Sequence, residues 1–136
     1  MEITDNTLPT TWEEFCETHP RKDGEAYIGR DSNVCIFGII SRRTPEGDKN
    51  VLPHKKYAEA MLALCQLVQL RDCYNDGWQP DWTDNEAKYF FYFYFNELRT
   101  TAGYHTQSLF SFKTKELRNM FLTNFCDLIE IAKPLL

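Results

Sequence analysis

KYFFYFYF, residues Lys88 to Phe95, sets β-favouring aromatic side chains on both faces of an alternating pattern. A half-exposed strand would alternate aromatic with polar residues, so this one is expected to run through the middle of a sheet. Downstream, Ser108 to Phe112 (SLFSF) alternates as a strand, and Asn96 to Gln107, with Gly103 and several polar residues, reads as a long connection. Together they form a hairpin. Thr114 then suits the N-cap of a helix in which Leu117, Met120, Phe121, Phe125, Leu128, Ile129 and Ala132 recur at steps of three and four until Pro134.

Upstream of the aromatic strand, Asn75-Asp76-Gly77 closes a long helix expected from about Pro53 to about Tyr74. Its apolar positions, among them Tyr57, Met61, Leu64, Leu67, Val68 and Leu70, cover more than one stripe, which predicts burial on most sides. Ser41 to Asn50 (SRRTPEGDKN) collects Pro, Gly and charges without period and reads as an exposed loop. Before it, Glu25 to Ile28 and Val34 to Ile40 are rich in β-formers and are separated by the turn-forming Gly29 to Asn33, a first hairpin. Thr11 and Glu14 have capping-box spacing, opening a short helix with Trp12, Phe15 and Cys16 on one face and Pro20 as its stop. Met1 to Pro9 is a lead-in without pattern.

This order predicts an α+β fold: an antiparallel sheet of two hairpins with two long helices and a short N-terminal helix packed against it. At 136 residues the chain is the size of one domain, 1–136. Hydrophobic residues make up 43% and charged residues 26%, which fits a globular protein and excludes a disordered or collagen-like chain. The net charge of −5 disfavours nonspecific attraction to nucleic acid. The N-terminus lacks a basic segment followed by an apolar run, so a cytoplasmic protein is expected. Tyr57 to Leu70 is too short and too interrupted to cross a bilayer, so no membrane span is expected. Five cysteines without a C-x-x-C pair read as reduced, mostly buried thiols.

YAEAMLALCQLVQLRDCYNDGWQPDWTD, LFSFKTKELRNMFLTNFCDLIEIAKPLL and the opening LPTTWEEFCETHP resemble small proteins of Bacteroidales genomes and their phages or prophages. The most recognisable points are Leu70-Arg71-Asp72, Gly77-Trp78, Pro80-Asp81-Trp82 and Phe121 to Phe125. The resemblance implies a phage or mobile-element context, in the cytoplasm of a bacterial host or in a virion, and a shared fold. It carries over no catalytic residue.

The sharpest local feature is Trp78-x-Pro80-x-Trp82, two indoles beside a rigid proline, suited to stacking against a partner. With Tyr104 it forms the candidate partner-binding set; its bland reading is a loop that plugs the core. Arg42, Arg43, Lys55 and Lys56, with Lys49 and His54, form the best basic group for phosphate, against a solvated loop and helix start. Tyr92 and Tyr94 would join Arg42 and Arg43 in a single-strand nucleic-acid binder, against core packing of the strand. Asp76, Asp81 and Asp84 lack calcium-loop spacing, and His19, His54 and His105 lack metal-site spacing, so no metal and no cofactor is expected. Nucleophile-elbow, P-loop and dinucleotide motifs are absent, leaving only a diffuse site around Asp81, Asp84 and His105 for an enzyme. The leading expectation is a non-enzymatic protein-interaction module, a virion component or an inhibitor of a host system, acting on a protein partner or by self-association.

Overall fold

The computed structural model describes residues 8–38 and 42–136, arranged in two compact units, Met1–Ala58 and Glu59–Leu136. The expected lead-in falls largely on residues 1–7, which lie outside the described residues, as do positions 39–40 of the expected strand and position 41 of the loop.

The first unit opens with α1 (Trp12–Thr18), whose N-cap Thr11 accepts the Glu14 N–H on its hydroxyl at 3.0 Å. The other half of the expected capping box is turned elsewhere: the Glu14 carboxylate accepts from the Thr10 hydroxyl at 3.2 Å. β1 (Ala26–Ile28) and β2 (Val34–Ile36) form the expected antiparallel hairpin, with Tyr27 opposite Cys35. Asp31 and Ser32 turn the chain at φ of 56° and 61°, a left-handed conformation that short polar side chains tolerate. β3 (Val51–Leu52) lies on the other side of β1, with Ala26 opposite Leu52. Two residues are too few to show a period, so this strand left no signal in the sequence.

α2 (Lys55–Tyr74) starts in the first unit and continues through the second. It ends as expected: Asp76 and Gly77 take φ of 50° and 79°, and the Gly77 N–H reaches back to the Asp72 carbonyl at 3.3 Å. Its burial is narrower than expected. Ala60, Ala63 and Leu67 are buried at steps of three and four, while Cys65, Gln66, Gln69 and Cys73 are exposed. This also corrects the expectation of mostly buried thiols: all five cysteines are unpaired, yet only Cys16 is buried and Cys65, Cys73 and Cys126 face solvent.

The second unit holds β4 (Lys88–Tyr94), β5 (Glu97–Gly103) and β6 (Ser111–Phe112) in the order β5-β4-β6, so the aromatic strand is central. Each expected hairpin thus belongs to its own three-stranded antiparallel sheet. β5 lies within what read as a long connection. It is an edge strand of mostly exposed, polar residues, and such a strand lacks the buried alternation that marks strands in a sequence. Phe95 and Asn96 make the tight turn between β4 and β5 at φ of 47° and 68°, without the glycine that usually signals it.

The C-terminal helix is two helices, α3 (Lys115–Asn124) and α4 (Cys126–Ala132), and the expected single helix is broken at Phe125, φ −122° and ψ 25°. Thr114 caps α3 as expected, its hydroxyl accepting the Leu117 N–H at 3.2 Å. Phe121 is the hub of the core. Its ring lies 4.8 Å from that of Phe112, 5.2 Å from Phe125, 5.5 Å from Tyr74, 6.1 Å from Phe110 and 6.3 Å from Phe91. Leu67, Ile129 and Ala132 complete it. Tyr89, Phe91 and Phe93 therefore share the face of β4 that meets the helices, and Lys88, Phe90, Tyr92 and Tyr94 share the opposite face.

Candidate functional site

The loop after α2 folds so that Trp78, Pro80 and Trp82, all half-buried, wall a slot of about 190 Å³ with Leu109, next to Arg71 and Asn75. The loop neither plugs the core nor stands free. Its frame is polar and fully specified. Asn75, buried at the end of α2, donates to the Ser111 carbonyl at 2.9 Å and accepts the Lys113 N–H at 3.2 Å, which pins the helix end to β6. Arg71 donates to the Leu109 carbonyl at 2.6 Å and through Nη2 to Asp72 at 2.7 Å. These bonds hold the two sides of the slot at a fixed spacing.

Lys88 anchors the far end of the loop. It is 1% exposed, and its ammonium donates to the Asp84 carboxylate and to the Tyr104 carbonyl at 2.9 Å, 6.0 Å from the Trp82 ring centre. His105 Nδ1 hydrogen-bonds the Trp82 carbonyl at 2.8 Å. Asp81 accepts the Thr83 hydroxyl at 2.6 Å and the Thr83 N–H at 2.9 Å. Hydrogen bonds from Lys88 and from the Glu86 N–H hold the Asp84 carboxyl below its ordinary range, and those from Thr83 do the same for Asp81. Asp81, Asp84 and His105 thus each have a partner that shapes the loop. Tyr104 contributes its backbone to this network; its exposed ring is not among the side chains lining the slot.

The basic group does not assemble as expected. Arg43 is buried, and its Nη2 donates to both Glu25 oxygens at 2.7 Å while Nε donates to the His19 carbonyl at 2.5 Å. It also lies 4.9 Å from the Phe15 ring centre. Burial pushes the Glu25 carboxyl up, but the bonds from Arg43 and the Lys22 N–H outweigh it and hold the group below its ordinary range. Arg43 is thereby committed to the first unit's interior. Arg42, Lys55 and Lys56 are exposed, and the Lys56 ammonium sits 5.1 Å from the ring of its neighbour Tyr57. Glu25 and Arg43 are too far apart in the chain for spacing to have revealed their pairing.

Part of the aromatic strand is not core. Tyr92 and Tyr94 are 44% and 56% exposed, and at the hairpin tip Phe95 is 85% and Leu98 44% exposed. Alternation alone could not show this, because β4 is covered on one face along its length and on the other only near its start. Among the described residues no group of three or more His, Cys, Asp or Glu is placed to hold a metal ion, and no helix is long and apolar enough to cross a membrane. The chain matches no family model, no curated protein and no solved structure.

Proposed function

We propose that the protein is a non-enzymatic interaction module, of phage or mobile-element context, that grips an extended segment of a protein partner by inserting one of its aliphatic or proline side chains into the Trp78–Trp82 slot. The observation that carries this reading is the slot itself: two half-buried indoles and a proline, preset by Asn75, Arg71 and Lys88. Its volume of about 190 Å³ is below the roughly 300 Å³ at which small-molecule sites begin, and suits one side chain. Rigid indoles lose little entropy on binding, which is why Trp recurs at the centres of interfaces.

The test is capture from bacterial host lysate, treated with nuclease, by the wild type and by Trp78→Ala with Trp82→Ala. The reading predicts a protein recovered by the wild type and depleted about tenfold or more with the double variant. Equal recovery by both would place the interface elsewhere.

A second reading, a binder of single-stranded nucleic acid, is favoured by one observation: Tyr92 and Tyr94 are exposed on the face that also carries Arg99, which pairs with Tyr92 across β4 and β5. It predicts binding of a labelled single strand that weakens steeply with salt. No binding at low salt removes it.

A further inference from the structure

A cavity of about 750 Å³ opens in the first unit beside the β1–β2 hairpin, and its wall includes Arg21, Tyr27, Ile28, Arg30, Phe37 and Asp48. That volume falls within the roughly 300–1,000 Å³ of small-molecule sites. All of its lining residues belong to the first unit and none to the Trp78–Trp82 slot, so the two sites are independent.

Arg21 is the odd member of that wall. Arg43, Arg71 and Arg118 are each held by three side-chain hydrogen bonds. Arg21 is also largely covered, its side chain 23% exposed, yet among the described residues no hydrogen bond reaches its guanidinium. Its Nε is the one buried side-chain nitrogen or oxygen without a partner among them. A guanidinium carries five N–H donors, and leaving covered ones unmatched is costly. The group is nonetheless fixed in place. Its carbon lies 4.5 Å from the Phe37 ring centre, and the Tyr27 ring stacks on Phe37 at 4.6 Å. Asp48 steadies it further: Oδ1 lies 3.5 Å from Nη1, and Oδ2 accepts the Thr44 N–H at 2.6 Å. Arg30, exposed in the turn between β1 and β2, adds a second guanidinium to the wall. Against these two cations the lining holds one carboxylate, Asp48, so the cavity is positive in a chain whose net charge is −5.

We propose that this cavity binds a small organic oxyanion, a carboxylate or a phosphate monoester. Its oxygens accept from Arg21 and Arg30, since both kinds of anion match the fork of a guanidinium. Its carbon part lies against the apolar wall of Tyr27, Ile28 and Phe37.

Heteronuclear NMR of the full chain, titrated with phenyl phosphate, with benzoate and with uncharged benzyl alcohol, tests it. At least one of the two anions should bind saturably at about 1 mM or tighter, and the tighter one identifies the oxyanion. The amide signals that move first should be those of Ile28, Gly29, Arg30, Cys35 and Asn50, which line the cavity. Benzyl alcohol should bind about tenfold more weakly or worse, because it leaves both guanidinium groups unmatched. Arg21→Gln should weaken anion binding about tenfold or more in a protein that still melts cooperatively. Arg30→Gln, an exposed change that spares the packing around Phe37, should weaken it about threefold and keeps the test open if Arg21→Gln fails to fold. Neither anion moving these signals, benzyl alcohol binding as tightly as the anions, or unchanged affinity in either folded variant would each overturn the proposal.

Discussion

Lys88 shows how one buried charge can organise a loop. An ammonium removed from water must be matched, and here the match comes from Asp84 and the Tyr104 carbonyl, which lie on either side of the strand in sequence. Lys88→Ala should therefore destabilise the protein by about 3 kcal/mol in urea unfolding, while Lys88→Met combined with Asp84→Asn should recover much of that loss, because it removes both charges and keeps the stem. Arg43→Ala should cost about 2 kcal/mol, and Arg43→Lys should not restore it, since a lysine has no second nitrogen to hold the His19 carbonyl as Nε does while Nη2 holds both Glu25 oxygens. Glu25 and Asp84 titrate below their ordinary values of 4.5 and 3.8. A depressed carboxyl contributes stability above its unfolded value and loses it as pH falls through the folded one. The urea midpoint should accordingly drop as pH is taken below 4.5, and drop less in Arg43→Ala, where Glu25 keeps only the hold from Lys22. None of these pairings is legible in the sequence, where Lys88 opens the aromatic strand and Arg43 belongs to the basic group, because the partner of each is set by the fold.

Element by element, what could be read was what local chemistry dictates. Thr11, Thr114 and Asn75-Asp76-Gly77 mark helix ends through bonds to their own neighbouring backbone, and all three do so in the structure. The centrality of β4 followed from aromatics on both its faces. β5 was hidden because edge strands are polar and because Phe95-Asn96 is an unusual pair for its turn. Replacing it by Asn-Gly, which accepts left-handed φ at both positions, should raise stability by about 1 kcal/mol and the melting temperature by several degrees. The break at Phe125 was hidden too, since apolar periodicity continues across it from α3 into α4.

At the scale of the molecule, antiparallel pairing and, in the second unit, helices on one face of the sheet were legible, while the division of strands between two sheets was not, because β3 and β5 were the unseen third strands. The core of the second unit turns on one ring, so Phe121→Ala should cost about 4 kcal/mol by denaturant unfolding, more than any surface change. The candidate site was partly legible. Trp78, Pro80 and Trp82 do come together around one slot, but Leu109, Arg71 and Asn75, which complete and fix it, gave no local sign.

The central claim is that the slot binds a partner's side chain. Its most direct test is calorimetric titration of the captured partner into the wild type and into Trp78→Ala with Trp82→Ala, beside the melting curve of each. The slot predicts an affinity loss of about tenfold or more, equivalent to at least about 1.4 kcal/mol, in a variant that still melts cooperatively. Equal affinities in two folded proteins would contradict it.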